Sequence, residues 1–174
     1  MNSISERIDP PSAGDEASQL YAFLDYHRAT LQMKAAGLDA AGLAQTLQPS
    51  DMTLGGMLKH VALNEDNWFS VFLHGNEYAK PWCDVDWELD PDWDWHSAES
   101  DSPEYLRALH HDSVVRSREL VAGIDLDTLS KRSLRSTGDP VTLRWIVLHM
   151  IEEYARHNGH ADLIRESIDG VVGE

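Results

Sequence analysis

Six residues near the C-terminus, Ile146, Met150, Glu153, His157, His160 and Ile164, follow one another at steps of four and three. That spacing puts side chains on one face of an α-helix. Both ends of the stripe are apolar, so it faces a protein interior, yet its middle carries a carboxylate and two imidazoles. Burying such groups without partners costs several kcal/mol. A divalent metal ion is an economical partner, because Glu153 and His157, one turn apart, can set an oxygen and a nitrogen each about 2 Å from one cation. A Glu-x3-His pair is equally an ordinary contact along a helix, and the residues alone leave both readings open.

Two ligands do not complete a site. His149 lies on nearly the same face, but at a rise of about 1.5 Å per residue its Cα stands about 12 Å along the axis from that of His157. A third ligand must therefore come from another helix. His60, at the margin of an apolar helical face, is the best placed. His27 is a weaker candidate, since it shares its segment with Tyr21 and Tyr26 and reads as a polar core contact. His110 and His111 are adjacent, so one at most faces inward.

The elements that must carry these residues follow from periodicity and from capping signals. Leu20, Phe23, Leu24, Leu31 and Ala35 predict a first helix over 16–36, stopped by Gly37. A short amphipathic piece follows over 40–47. Thr53 is an N-cap for a second helix over 54–73, whose apolar stripe is Leu54, Leu58, Val61, Trp68 and Phe72. Ser102 and Pro103 make a cap-plus-first-turn pair for a third helix that runs to Gly123. A fourth spans 142–167, and residues 130–134 read as a short strand-like piece before it. No strand pattern of comparable strength competes, and the chain is expected to be all-α, a four-helix bundle with long crossover connections. Residues 1–14 read as a loose arm and 15–174 as a single domain.

The segment 76–101 has no helical period. Trp82, Trp87, Trp93 and Trp95 alternate there with six acidic residues between Asp84 and Asp94. It reads as a structureless crossover whose tryptophans anchor it to the helices. The acidic run lacks the glycine turn and terminal glutamate of an EF-hand. Cys83, a conceivable fourth ligand, reads instead as a packed side chain.

Acidic residues outnumber basic ones 30 to 14, for a formal net charge of −16. Such a surface repels phosphate backbones and anionic lipid headgroups, so neither nucleic acid nor membrane is an expected partner. A lone cysteine rules out an intrachain disulfide. The N-terminal stretch MNSISERIDPPSAGDE has no apolar core of a signal peptide, and the expected location is the cytoplasm.

Two segments carry a family resemblance. Thr53-Leu54-Gly55-Gly56-Met57-Leu58-Lys59-His60-Val61-Ala62, followed by Trp68-Phe69, resembles the second helix of the DinB/YfiT-like superfamily, where the histidine is a metal ligand. Leu148-His149-Met150-Ile151-Glu152-Glu153-Tyr154-Ala155-Arg156-His157-Asn158-Gly159-His160 resembles its last helix. Many members place two histidines four apart on that helix, whereas here the earlier position is Glu153. The mycothiol-dependent maleylpyruvate isomerase branch is similar in this respect, with zinc held by one histidine of the second helix and a Glu-x3-His pair of the last. Carried over, the resemblance implies His60, Glu153 and His157 as ligands, with His160 beside them.

The resemblance further implies a small-molecule substrate and a low-molecular-weight thiol cosubstrate, mycothiol or bacillithiol, activated on the metal by a thiol transferase or isomerase. His160, Arg156 and Tyr154 are candidates to orient the incoming group. Two nitrogens and one carboxylate suit zinc first, then nickel, iron or manganese. Two other readings stand beside this one. One is a metal-dependent hydrolase with Glu152 or His160 as base. The other is a metal-binding, stress-related protein without turnover, whose exposed helix faces would allow a homodimer.

Overall fold

The structure, a computed structural model, describes residues 7–172. Residues 1–6 of the expected N-terminal arm lie outside the described residues. Beyond them the chain carries no regular element before Asp15, and the Arg7 guanidinium lies over the Tyr26 ring, 4.8 Å from its centre.

The described residues are mainly α-helical. Helix α1, Glu16–Ala35, starts where the Asp15 carboxylate accepts from the Ser18 N–H at 2.9 Å. The short α2, Ala40–Leu43, leads to α3, Leu54–Glu65, capped by the Thr53 hydroxyl. Helix α4 is one turn, Trp93–His96, and α5 spans Pro103–Val121 behind its Ser102 cap. Strand β1, Leu129–Ser133, pairs antiparallel with β2, Pro140–Thr142, with Leu129 opposite Thr142 and Ser133 opposite Pro140. The last helix, α6, runs Leu143–Asp169 and stops at Gly170, whose φ of 76° suits a residue without a side chain. No helix among the described residues is long and apolar enough to cross a membrane.

Helix α1 packs along α6, α3 packs along α5, and α3 also touches α1 and α6. Leu24, Leu31, Leu58, Val61, Met150 and Ile164 meet between them. The starts of the four long helices, and the ends of all but α3, fall where caps and glycines predict, because those signals act within one turn of the chain.

The second expected helix differs in its last two turns. Instead of one α-helix to residue 73, α3 passes into a π-helical turn, Asp66–Phe72. A π turn holds more residues than an α turn, so the inward face shifts. Phe69 and Val71 enter the core, while Trp68 and Phe72, expected on the buried stripe, lie half-buried against each other, their ring centres 4.7 Å apart. The shift also lets consecutive carboxylates both point inward. Glu65 takes two bonds from Arg28 of α1, at 2.7 and 2.6 Å, and Asp66 takes the fork of Arg116 of α5.

The crossover is not structureless either. It forms a 3-10 turn at Trp82–Asp84, the α4 turn, and a second 3-10 turn at Ser97–Ser100. Trp82 is buried, and its indole N–H donates to Asp66 at 2.7 Å. Lys59 sits over the Trp93 ring at 4.1 Å and pairs with Asp101. These contacts tie the segment along α3, as anchoring tryptophans should. Cys83 is exposed, not packed, because its neighbour Trp82 takes the inward position.

Candidate metal centre

Glu153 and His157 stand one turn apart on α6, and His60 faces them from α3. The His60 Nε2 lies 3.8 Å from Glu153 Oε2, the His157 Nε2 lies 3.6 Å from the same oxygen, and the two imidazole rings are 4.9 Å apart. One ligand atom from each of the three residues falls within 4.8 Å of the others. The gaps of 3.6 and 3.8 Å are too long for hydrogen bonds. They are close to the spacing of roughly 3.3 Å that two atoms about 2 Å from a tetrahedral ion would have.

His157 is nearly buried, and its Nδ1 has no hydrogen-bond partner. Burial, with the nearby charge of His60, pushes this histidine down to about 4, so it is a neutral nitrogen donor at physiological pH. For His60 burial also works against charge, but the Asp94 and Glu153 carboxylates outweigh it and raise the ring to about 9. His60 in turn holds the Glu153 carboxyl below its ordinary value despite partial burial, with His149 and His157 acting in the same direction. The donor set is therefore an ionised oxygen, a neutral imidazole and a second imidazole that becomes a donor on losing its proton, and in this half-open position it fits a divalent cation.

The surroundings come from three elements. From α4, Asp94 accepts from His60 Nδ1 at 2.7 Å, and the Trp95 ring lies 4.8 Å from the His60 ring at 30°. Asn64, one turn along α3, places its amide nitrogen 3.1 Å from His60 Nε2. The His160 ring lies 5.9 Å from that of His157. His149 stacks on Trp145 at 5.0 Å and comes within 3.9 Å of the other oxygen of Glu153. It groups with Glu152 and Glu153 and not with His157, as the axial distance along the helix requires.

Two residues offered from the sequence as orienting groups are not at this cluster. Tyr154 follows Glu153 by about 100° around the helix and is turned into the core, where its hydroxyl donates to Glu65 at 2.9 Å. It also accepts from His110 Nε2 at 2.9 Å, so of the His110–His111 pair it is His110 that faces inward. Arg156 is exposed and pairs with Glu152, because its position lies on the outer side of α6. Among the described residues, no acidic residue of the run from Asp84 to Asp94, nor Cys83, joins a set of three metal-ligating groups. From the sequence, Trp95 reads only as one of the anchoring tryptophans and Asp94 only as the end of the acidic run, and their contacts with His60 are missed. Their only signal was the alternation of tryptophan and aspartate, which does not distinguish one pair from the next.

The family model of the mycothiol-S-transferases matches residues 19–170, which takes in the crossover and the four long helices except the first three residues of α1. This chain belongs to the mycothiol-S-transferase family. The family is a DinB-like branch, as the two helical motifs imply. No curated protein matches the chain.

Proposed function

We propose that this mycothiol-S-transferase family member is a metal-dependent thiol S-transferase or isomerase, which activates a low-molecular-weight thiol of the mycothiol type at His60, Glu153 and His157. The observation that carries the reading is the convergence of those three side chains from two helices, without hydrogen bonds among them, in a chain whose family is defined by a thiol. In the same reading the four long helices form a DinB-like bundle within one domain, 15–174. The exposed Cys83 thiol suits a reducing cytoplasm.

His60, Glu153 and His157 would hold the ion, zinc being favoured by two imidazoles and one carboxylate. A divalent cation there supplies Lewis acidity that ionises a thiol at neutral pH. With three protein donors the set leaves room for an incoming sulfur. Glu153 would contribute the one negative charge among the ligands, so a divalent ion held there would keep a net positive charge that favours a thiolate over a thiol. The Trp95 ring covers one side of His60 and shields that face of the imidazole. His160, whose Nδ1 is buried without a partner, stands next to His157 and is placed to exchange a proton with a group at the centre.

The test is metal content and thiol dependence. Protein purified without a chelator or metal-charged resin should carry about one equivalent of metal, and His60→Ala and His157→Ala should lose it with their helicity unchanged. Conversion of an electrophile should require added thiol. Turnover with water alone would favour the hydrolase reading, and undiminished metal in both variants would remove the site.

A further inference from the structure

The acidic run of the crossover has one member unlike the rest. Asp94 is 3% exposed, whereas Asp84, Asp86 and Asp92 are all exposed. A buried carboxylate needs a partner to offset its lost hydration, and among the described residues the hydrogen-bond partner of Asp94 is His60, at 2.7 Å through Nδ1. We infer that Asp94 is a positioning residue of the metal centre, holding the His60 ring by its Nδ1–H so that Nε2 is turned toward Glu153 and His157. The inference rests on the metal site proposed above.

Further contacts on both edges and one face of the ring make this a built arrangement. The residue after Asp94 is Trp95, whose indole lies 4.8 Å from the His60 ring, so one segment fixes both the edge and the face of the imidazole. Helix α3 makes room for that indole with a glycine, since a Cβ on Gly56 would come within 2.6 Å of the Trp95 ring. On the other edge, the Asn64 amide nitrogen lies 3.1 Å from His60 Nε2, so that it can donate to this nitrogen when the ring is neutral. Lys59, next to His60, pins the segment through Trp93 and Asp101. An imidazole whose far nitrogen donates to a carboxylate is fixed in tautomer and orientation, and is a stronger donor to a metal through the near one.

Zinc affinity measured against a competing chelator on the alkaline plateau, and the visible spectrum of the cobalt-substituted protein, test this without any turnover. Asp94→Ala should bind zinc about 10–100-fold more weakly and give a shifted cobalt band, with Asp94→Asn, which keeps an acceptor but no charge, in between. If Asp94→Ala does not fold, Asp94→Asn carries the same test with a smaller loss. Asp101→Asn is the control, because it loosens the same segment without touching His60, and it should bind as the wild type does. Unchanged affinity and spectrum in the Asp94 variants overturn the inference while leaving the metal site standing. An equal loss in Asp101→Asn also overturns it, reducing Asp94 to a fastener of the crossover. Wild-type protein that binds no zinc removes both the site and its positioning residue.

Discussion

Metal uptake by the metal-free protein should release one proton, and that proton should come from His60. The Asp94 and Glu153 carboxylates, working against burial, hold His60 at about 9, while burial and the charge of His60 push His157 to about 4. Glu153 is already ionised, since its carboxyl is held below its ordinary value. At pH 7.5 these values leave His60 protonated by about 30 to 1 and His157 neutral by more than about 1000 to 1. An ion entering the site must then displace a single proton. Its apparent affinity should rise about tenfold per pH unit, or about 1.4 kcal/mol, between roughly pH 5 and 9, and level off above. Two histidines with ordinary values near 6.5 would behave differently, releasing almost nothing at pH 7.5 and about two protons near pH 5. Calorimetry of zinc binding in two buffers of different ionisation enthalpy counts the protons directly, and chelator competition from pH 6 to 9 gives the slope. A proton count near zero at pH 7.5, or a flat affinity over that range, would refute the reasoning.

Tyr154→Phe should cost about 1–3 kcal/mol, because it leaves Glu65 and His110 each short of a buried partner. That is a fall in Tm of roughly 2–4 °C per kcal/mol for a chain of this size, with metal content unchanged; an unshifted melt would contradict the buried network. Burial pushes His110 down to about 4, so it is neutral in the folded protein and charged in the unfolded one below pH 6.5. Stability should thus fall as pH drops from 6.5 toward 4, by about 3 kcal/mol from this residue. Denaturant titrations should show His110→Gln to be less acid-sensitive than the wild type, and equal slopes would count against the depressed value. Gly56→Ala should destabilise by about 1–3 kcal/mol through overpacking and move the Trp95 indole off His60. Altered tryptophan fluorescence would report that movement, and an unchanged spectrum and stability would show that the contact yields.

Helix positions were legible in the sequence because the signals that set them act locally. Thr53, Ser102 with Pro103, Gly37 and Gly170 mark ends within one turn, and the period of apolar residues marks the inward faces. The same period put Glu153 and His157 on one stripe and His60 at the edge of another. What the sequence could not decide was whether the two stripes meet, since that depends on how α3 and α6 pack. The π-helical turn was hidden for a similar reason. It is matched to arginines from α1 and α5 that pair with Glu65 and Asp66, and neither lies near them in the chain. Tyr154 was misplaced because it neighbours a site residue in sequence but points about 100° away from it. Asp94 is the sharpest case. Among alternating tryptophans and aspartates nothing local sets it apart, and only the docking of the crossover on α3 takes that carboxylate out of water and aims it at His60. The sequence by itself determined the helices and the side chains able to bind a metal. The tertiary structure alone decided which of those side chains meet and which charges are buried beside them, because desolvation and long-range contact exist only once the helices have packed.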